Sequence, residues 1–143
     1  MTRLGWWMRI VGSFYLLQFV ANAIVLAPIR AFGPAGALDE ASAGVPIARF
    51  LVDTWVTFGL EVGGIGAALL VFSRAPDQAR ALVWTVIGIE VTRGIIADVY
   101  MISRGITFAG LLVWIVIHTV IIVTGVLTLR AAKAAGAVSS APA

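Results

Sequence analysis

Four long apolar runs dominate the chain and restrict what it can fold into. They span residues of about 5–28, 46–72, 81–102 and 108–130. A helix of roughly 20 apolar residues crosses the ~30 Å hydrocarbon core of a bilayer. Of the 143 residues, 61% are hydrophobic and 12% are charged, whereas soluble domains average about 45–50% and about 25%. Each run therefore predicts a transmembrane helix.

Basic residues between the runs predict the orientation of these helices. The links are short, so neighbouring helices are expected to be antiparallel. Six basic residues fall on one side of the predicted membrane and three on the other: Arg3, Arg9, Arg74, Arg80, Arg130 and Lys133 against Arg30, Arg49 and Arg104. The richer side is cytoplasmic by the positive-inside rule. We predict an all-α, four-transmembrane-helix antiparallel bundle over residues 1–133, with both termini cytoplasmic and a flexible tail over 134–143.

Polar residues inside the runs need a reason, because a charge at the centre of a membrane helix costs roughly 2.5–3.5 kcal/mol. One polar residue from each run reaches a common central depth, and others lie nearer the outer surface. The central set is Gln18, Glu61, Glu90 and His118; Asp53, Arg93 and Asn22 lie further out, and Asp98 lies near the outer mouth. The pattern predicts a polar seam from the centre of the bundle toward its outer face.

Two interpretations of this seam stay open. As a structural network, Arg93 neutralises Glu90 and Asp53, His118 donates to Glu61, and the two amides bond across the bundle. As a functional site, the carboxylates beside His118 bind a small ligand or exchange protons near neutral pH. A metal site is disfavoured, because di-iron bundles use two Glu-x-x-His pairs and this chain has one His and no Cys. We expect no cofactor.

Small residues in the second run indicate close helix packing. Gly59, Gly63 and Ala67 form a small-x-x-x-small face, which lets another helix approach closely. The neighbour is either within the chain, which we favour, or in a second copy, which would make a homo-oligomer. Basic residues are scattered at segment ends, which argues against a nucleic-acid partner.

The amino-acid sequences of the four apolar runs resemble those of a known protein family. The stretches are GWWMRIVGSFYLLQFVANA, ARFLVDTWVTFGLEVG, VWTVIGIEVTRGIIADVYMI and WIVIHTVIIVTG. They resemble the BphX-like family of small bacterial membrane proteins, from about Trp6 to about Arg130, and the four-helix plan is more weakly similar to the DoxX-like group. The resemblance implies a multi-pass protein of the bacterial inner membrane with a supporting role in handling aromatic compounds. It supplies no catalytic residues.

We therefore expect a non-enzymatic membrane protein that binds a small hydrophobic or aromatic compound or assists a membrane-linked aromatic-degradation pathway. Glu61, Glu90, Arg93, His118 and Asp53 would form the polar end of its pocket. One alternative is an assembly or accessory subunit of a membrane complex that packs through the glycine face. Another is a membrane enzyme or proton-linked carrier that uses Glu61, Glu90 and His118. The enzyme ranks last, because no nucleophile or cofactor motif accompanies these residues.

Overall fold

The fold is all-α in the part of the chain that the structure describes. This computed structural model describes residues 2–25, 44, 46–105 and 108–139, and no strand occurs in these ranges. The helices are α1 (Arg3–Phe19), a π-helical turn (Val20–Val25), α2 (Pro46–Phe72), a 3₁₀ turn (Pro76–Ala79), α3 (Arg80–Ile89), a second π-helical stretch (Glu90–Ile96), α4 (Ala97–Ser103) and α5 (Phe108–Ser139). The predicted all-α class is confirmed for these residues.

Local sequence explains where several helices begin and end. The hydroxyl of Thr2 accepts a hydrogen bond from the Gly5 amide at 3.1 Å, which caps the first turn of α1. Pro46 opens α2, where its missing N–H costs nothing. Gly105 follows α4 with φ +86°, a left-handed conformation that glycine adopts without a Cβ clash.

Helix α5 extends beyond the fourth apolar run. It continues to Ser139, through the first residues of the predicted flexible tail, and 140–143 lie outside the described residues. Alanine is the strongest helix former, and four of the five residues in 131–135 are alanine. Local propensity thus carries the helix past the point where hydropathy predicts its end.

The chain divides into two compact units. The first consists of Met1–Arg9 and Val71–Ala143. In it, the start of α1 packs against α3 and α5, because Gly125 leaves room for the Trp7 ring. A Cβ at Gly125 would lie 3.0 Å from Trp7 Cζ2 and 3.1 Å from Ile87 Cδ1. Trp7 Nε1 also donates a hydrogen bond to Thr124 Oγ1 at 3.0 Å.

The second unit is Ile10–Leu70, in which α1 and α2 approach closely through glycine. A Cβ at Gly66 would lie 2.8 Å from the Gly12 carbonyl oxygen, and a Cβ at Gly63 would lie 2.7 Å from Phe19 Cγ. Of the predicted packing face, Gly59 and Gly63 are buried and Ala67 is exposed. The contact within this unit therefore uses Gly63 together with Gly66.

The described surface carries many large apolar side chains, whereas part of the buried interior is charged. Large side chains such as Trp6, Trp84 and Val71 are more than half exposed, while Glu90 and Asp98 are 4% and 5% exposed. Two described stretches, Asp53–Phe72 and Gly110–Ala135, are long and apolar enough to cross a membrane. The other two predicted crossings and the cytoplasmic termini stay predictions.

Candidate functional site

The candidate site lies on the continuous helix formed by α3, the second π-helical stretch and α4. Residues Glu90–Ile96 are π-helical, a wider turn with i→i+5 hydrogen bonds that is frequent at functional sites. In an ordinary α-helix, residues eight apart drift by about 80° around the axis. The wider π turn lowers the rotation per residue, which opposes that drift. Glu90, Gly94 and Asp98, spaced by four, are all buried.

His118 of α5 lies directly over Gly94. A Cβ at Gly94 would lie 2.5 Å from His118 Cγ and 2.6 Å from His118 Nδ1, so the ring occupies the space that the glycine leaves. Nδ1 is hydrogen-bonded to Glu90 Oε2. Nε2, on the other side of the ring, lies 3.8 Å from Asp98 Oδ2. A single imidazole thus separates two buried carboxylates.

Asp98 is the less satisfied of the two acids. Its Oδ2 atom is buried and has no hydrogen-bond partner in the described part of the chain. A buried polar group without a partner costs about 1–3 kcal/mol, and more if it is charged. A proton on this carboxyl, or a small movement of the ring that closes the 3.8 Å gap, would remove that cost. The position is therefore suited to changing its protonation or its contacts.

Trp114 extends the cluster toward the surface. Its ring stacks on the His118 imidazole, with centroids 6.1 Å apart and an interplanar angle of 30°. Residues four apart on a helix lie one above the other, which explains the stack. Trp114 is 41% exposed, so an aromatic surface leads from the exterior of the protein to the half-buried imidazole.

Comparison with known proteins identifies the family. The model of the BphX-like family matches residues 1–134. This chain belongs to the BphX-like family. Two relatives, each an uncharacterised BphX-like protein, come from Burkholderia cepacia and from Paraburkholderia xenovorans strain LB400. Each is 34% identical over 123 residues, which cover 85% of this chain and 86% of the relative. No solved structure matches the chain.

Membership in the BphX-like family confirms the predicted resemblance. It does not indicate which chemistry the site carries out. The match covers Glu90, Asp98 and His118, but the names of the relatives state no activity. Among the residues described, no group of three His, Cys, Asp or Glu side chains is placed to hold a metal ion. The contacts of His118 with two acids are suited to hydrogen bonding and proton exchange.

The structure brings together only some of the residues that the sequence singles out. Glu90 and His118 are in contact, while Arg93 is exposed on the same π turn. The remaining candidates belong to the second unit: Glu61 and Asp53 are exposed, and Gln18 and Asn22 are partly exposed. Asn22 Oδ1 accepts a hydrogen bond from Trp55 Nε1 at 3.0 Å. That these four residues join Glu90 and His118 in one seam stays a prediction.

Asp98 is a residue of the site that its position in the sequence does not predict to belong there. It lies two helical turns beyond Glu90, so its predicted depth is near the outer end of the polar seam rather than at the centre of the bundle. A usable signal exists in the spacing, because Glu90, Gly94 and Asp98 follow each other at intervals of four. A glycine between two acids on one helix face leaves room for a ring from a facing helix.

Proposed function

We propose that this protein is a multi-pass protein of the bacterial inner membrane in which His118 relays a proton between Asp98 and Glu90. One observation carries the proposal: each ring nitrogen of a single imidazole faces a different buried carboxylate. Ionisable residues inside membrane helices commonly form such Asp/Glu/His relays. A merely structural ion pair needs only one of the two acids.

The relay consists of two proton transfers through one ring. The carboxyl of Asp98 gives its proton to His118 Nε2, and the imidazolium releases the Nδ1 proton to the carboxylate of Glu90. The ring ends as the other neutral tautomer, and rotation of the ring or exchange with water restores the first. A single ring bridges the two acids, so each cycle carries a proton across the width of one imidazole and the gap on either side of it.

The membrane location is supported by features spread over the described chain. Large apolar side chains are exposed while Glu90 and Asp98 are buried, which is the reverse of a soluble protein. Two stretches pass the length and hydropathy test for a span. The continuous helix over residues 80–103 and the helix over residues 3–25 also reach the roughly 20 residues that a crossing needs. With the bias of basic residues, these features favour four crossings and cytoplasmic termini.

A second candidate function is the binding of a small hydrophobic or aromatic compound. The stack of Trp114 on His118 favours it, because a partly exposed indole next to a polar centre is typical of a site for a small amphipathic molecule. Proton exchange at His118 would then be coupled to binding. An assembly role through the glycine face has less support, because Phe19 of the same chain occupies the space beside Gly63.

Selective labelling can test the relay, because the chain has one histidine. The full chain is labelled with ¹⁵N-histidine and placed in bilayers, and the signals of Nδ1 and Nε2 are recorded for the unmodified chain and for each acid variant. We expect the Glu90→Gln variant to shift the Nδ1 signal and the Asp98→Asn variant to shift the Nε2 signal. Asp77→Asn, at an exposed position, is the matched control.

Proton flux into vesicles provides the functional measurement. The full chain is reconstituted with an internal pH-sensitive dye, and a potassium diffusion potential drives protons. We expect flux that His118→Gln and Asp98→Asn each reduce strongly and that Asp77→Asn leaves unchanged. Nitrogen signals that neither acid variant shifts, or variants that conduct like the unmodified chain, would show that the cluster is structural.

A further inference from the structure

Arginines gather around the link between α2 and α3 in the first unit. We call Arg9, Ser73, Arg74 and Arg80 the link cluster. The start of α1 lies against this link, because a Cβ at Gly5 would be 2.9 Å from the Ser73 carbonyl oxygen. The contact places a basic residue of α1 beside the basic residues of the link.

Arg9 is held in place by two neighbours. Its Nε donates a hydrogen bond to the buried Ser73 hydroxyl at 3.3 Å. Its guanidinium carbon lies 6.0 Å from the centroid of the Trp6 ring, within the range of a cation–π contact. Among the contacts described for Arg9, only Nε is used, so the four N–H donors on its Nη atoms are available. A pre-positioned guanidinium with free donors is suited to bind phosphate oxygens in bidentate fashion.

The charge around the link is strongly one-sided. Residues 1–9 and 71–89 contain four arginines and one acid, Asp77. Asp77 is already paired with Arg80 at 2.7 Å. Arg74 is exposed next to Ser73, and these two stretches contain no acid besides Asp77 to match its charge. An anionic ligand would complete the link cluster.

Two exposed tryptophans indicate where in a membrane this cluster lies. Trp6 and Trp84 are 54% and 55% exposed, and they flank the cluster in sequence on α1 and α3. Exposed tryptophan concentrates at the level of the lipid headgroups. Basic pockets between helices on the cytoplasmic side bind anionic headgroups. The aromatic residues therefore place the arginines at the depth of lipid phosphate.

We infer that the link cluster is a binding site for the phosphate of an anionic phospholipid, with Arg9 as the principal ligand and Arg74 as a second one. The inference rests on the membrane location proposed above but is independent of the proton relay. Arg104 lies at the opposite end of the helix over residues 80–103. That helix is about 35 Å long, so Arg104 is well beyond the ~8 Å over which charges act in physiological salt.

Fluorescence quenching by brominated lipid tests this site. The full chain is placed in phosphatidylcholine bilayers that contain phosphatidylglycerol brominated near its headgroup. The signal of Trp6 is isolated as the difference between the unmodified chain and the Trp6→Phe variant. We expect brominated phosphatidylglycerol to quench Trp6 at a lower mole fraction than brominated phosphatidylcholine.

Variants of the arginines decide whether the cluster is responsible. One arginine near an anionic surface contributes about 1 kcal/mol, so Arg9→Gln should raise the mole fraction for half-maximal quenching about fivefold. Arg74→Gln, in an exposed link position, should act in the same direction without affecting packing. Arg104→Gln is the matched control and should change it by less than about twofold. Equal quenching by the two lipids, or no effect of either link variant, would overturn the inference.

The outcome is separable from the membrane proposal. Extraction of cell membranes with alkaline carbonate tests whether the chain is embedded at all. If carbonate releases the chain, the proposed membrane location fails. If the chain stays in the membrane and shows no preference for phosphatidylglycerol, only the lipid site fails. Competition by millimolar inorganic phosphate in water would show that the cluster binds phosphate from solution instead, which also overturns the lipid assignment.

Discussion

Replacement of Gly94 by alanine tests the site most directly, because the added methyl would meet the imidazole. The new Cβ would lie 2.5 Å from His118 Cγ and 2.9 Å from His118 Cδ2. Carbon atoms prefer about 3.5–4.0 Å, so the ring must withdraw by about 1 Å. Such a movement stretches the Nδ1 bond to Glu90 beyond the range of a hydrogen bond.

The expected cost follows from these contacts. Overpacking a well-packed site costs about 1–3 kcal/mol. The ring relieves the clash by giving up its bond to Glu90, worth about 1.5–3 kcal/mol for a charged group, so the two costs are alternatives and do not add. Alanine meanwhile gains about 1 kcal/mol of helix propensity. Gly88→Ala is the matched control, since Gly88 lies on the same helix with open space around a built Cβ.

We expect Gly88→Ala to stabilise the protein slightly and Gly94→Ala to unfold more easily than that control by about 1–3 kcal/mol. Unfolding is followed by circular dichroism during denaturation in mixed micelles. The ¹⁵N signals of the single histidine should shift in Gly94→Ala and stay in place in Gly88→Ala. Equal stability of the two variants together with unchanged histidine signals would refute the placement of His118 over Gly94.

Three other predictions concern topology and packing. The chain has no cysteine, so single cysteines at Gln78→Cys and Ser103→Cys can be labelled with an impermeant maleimide in intact cells. Only Ser103→Cys should react, because its link is proposed to lie outside the cytoplasm, and the reverse result would invert the proposed orientation. Gly66→Ala should lower the free energy of unfolding by about 1–3 kcal/mol relative to Gly64→Ala in the same micelle assay, because the added methyl meets backbone at Gly66 and open space at Gly64. Equal values would count against the close approach of α1 and α2. Trp7→Phe should cost about 0.5–1.5 kcal/mol for the lost indole bond, measured in that assay, and a neutral effect would contradict that contact.

The sequence predicts the helices better than the site because the two depend on different information. Apolar runs and a first-turn proline predict a helix over 46–72, and α2 spans Pro46–Phe72. Depth along the runs also puts Glu90 and His118 at one level, and these residues are in contact. Depth is a one-dimensional measure, and it does not show which side of a helix a residue occupies.

Asp98 shows what such a measure misses. It lies two turns from Glu90, yet both acids face one ring, because an imidazole has nitrogens on opposite sides and reaches residues at two depths. The π turn between the acids also changes the rotation along the helix, and no residue pattern in 90–96 announces it. Helix α5 runs past its predicted end for a different reason, since alanine propensity acts where hydropathy has already fallen.

The π turn has a consequence for how this helix tolerates change in length. A π turn accommodates one residue more than an α-helical turn, so loss of a single residue within 90–96 would leave a continuous helix and four intact apolar runs. The side chains after the turn would keep their directions, because a π turn that loses its extra residue becomes an α-helical turn, and Asp98 would stay before the imidazole. A one-codon deletion within this turn would thus shorten the chain while preserving both the apolar runs and the contact of two acids with one histidine.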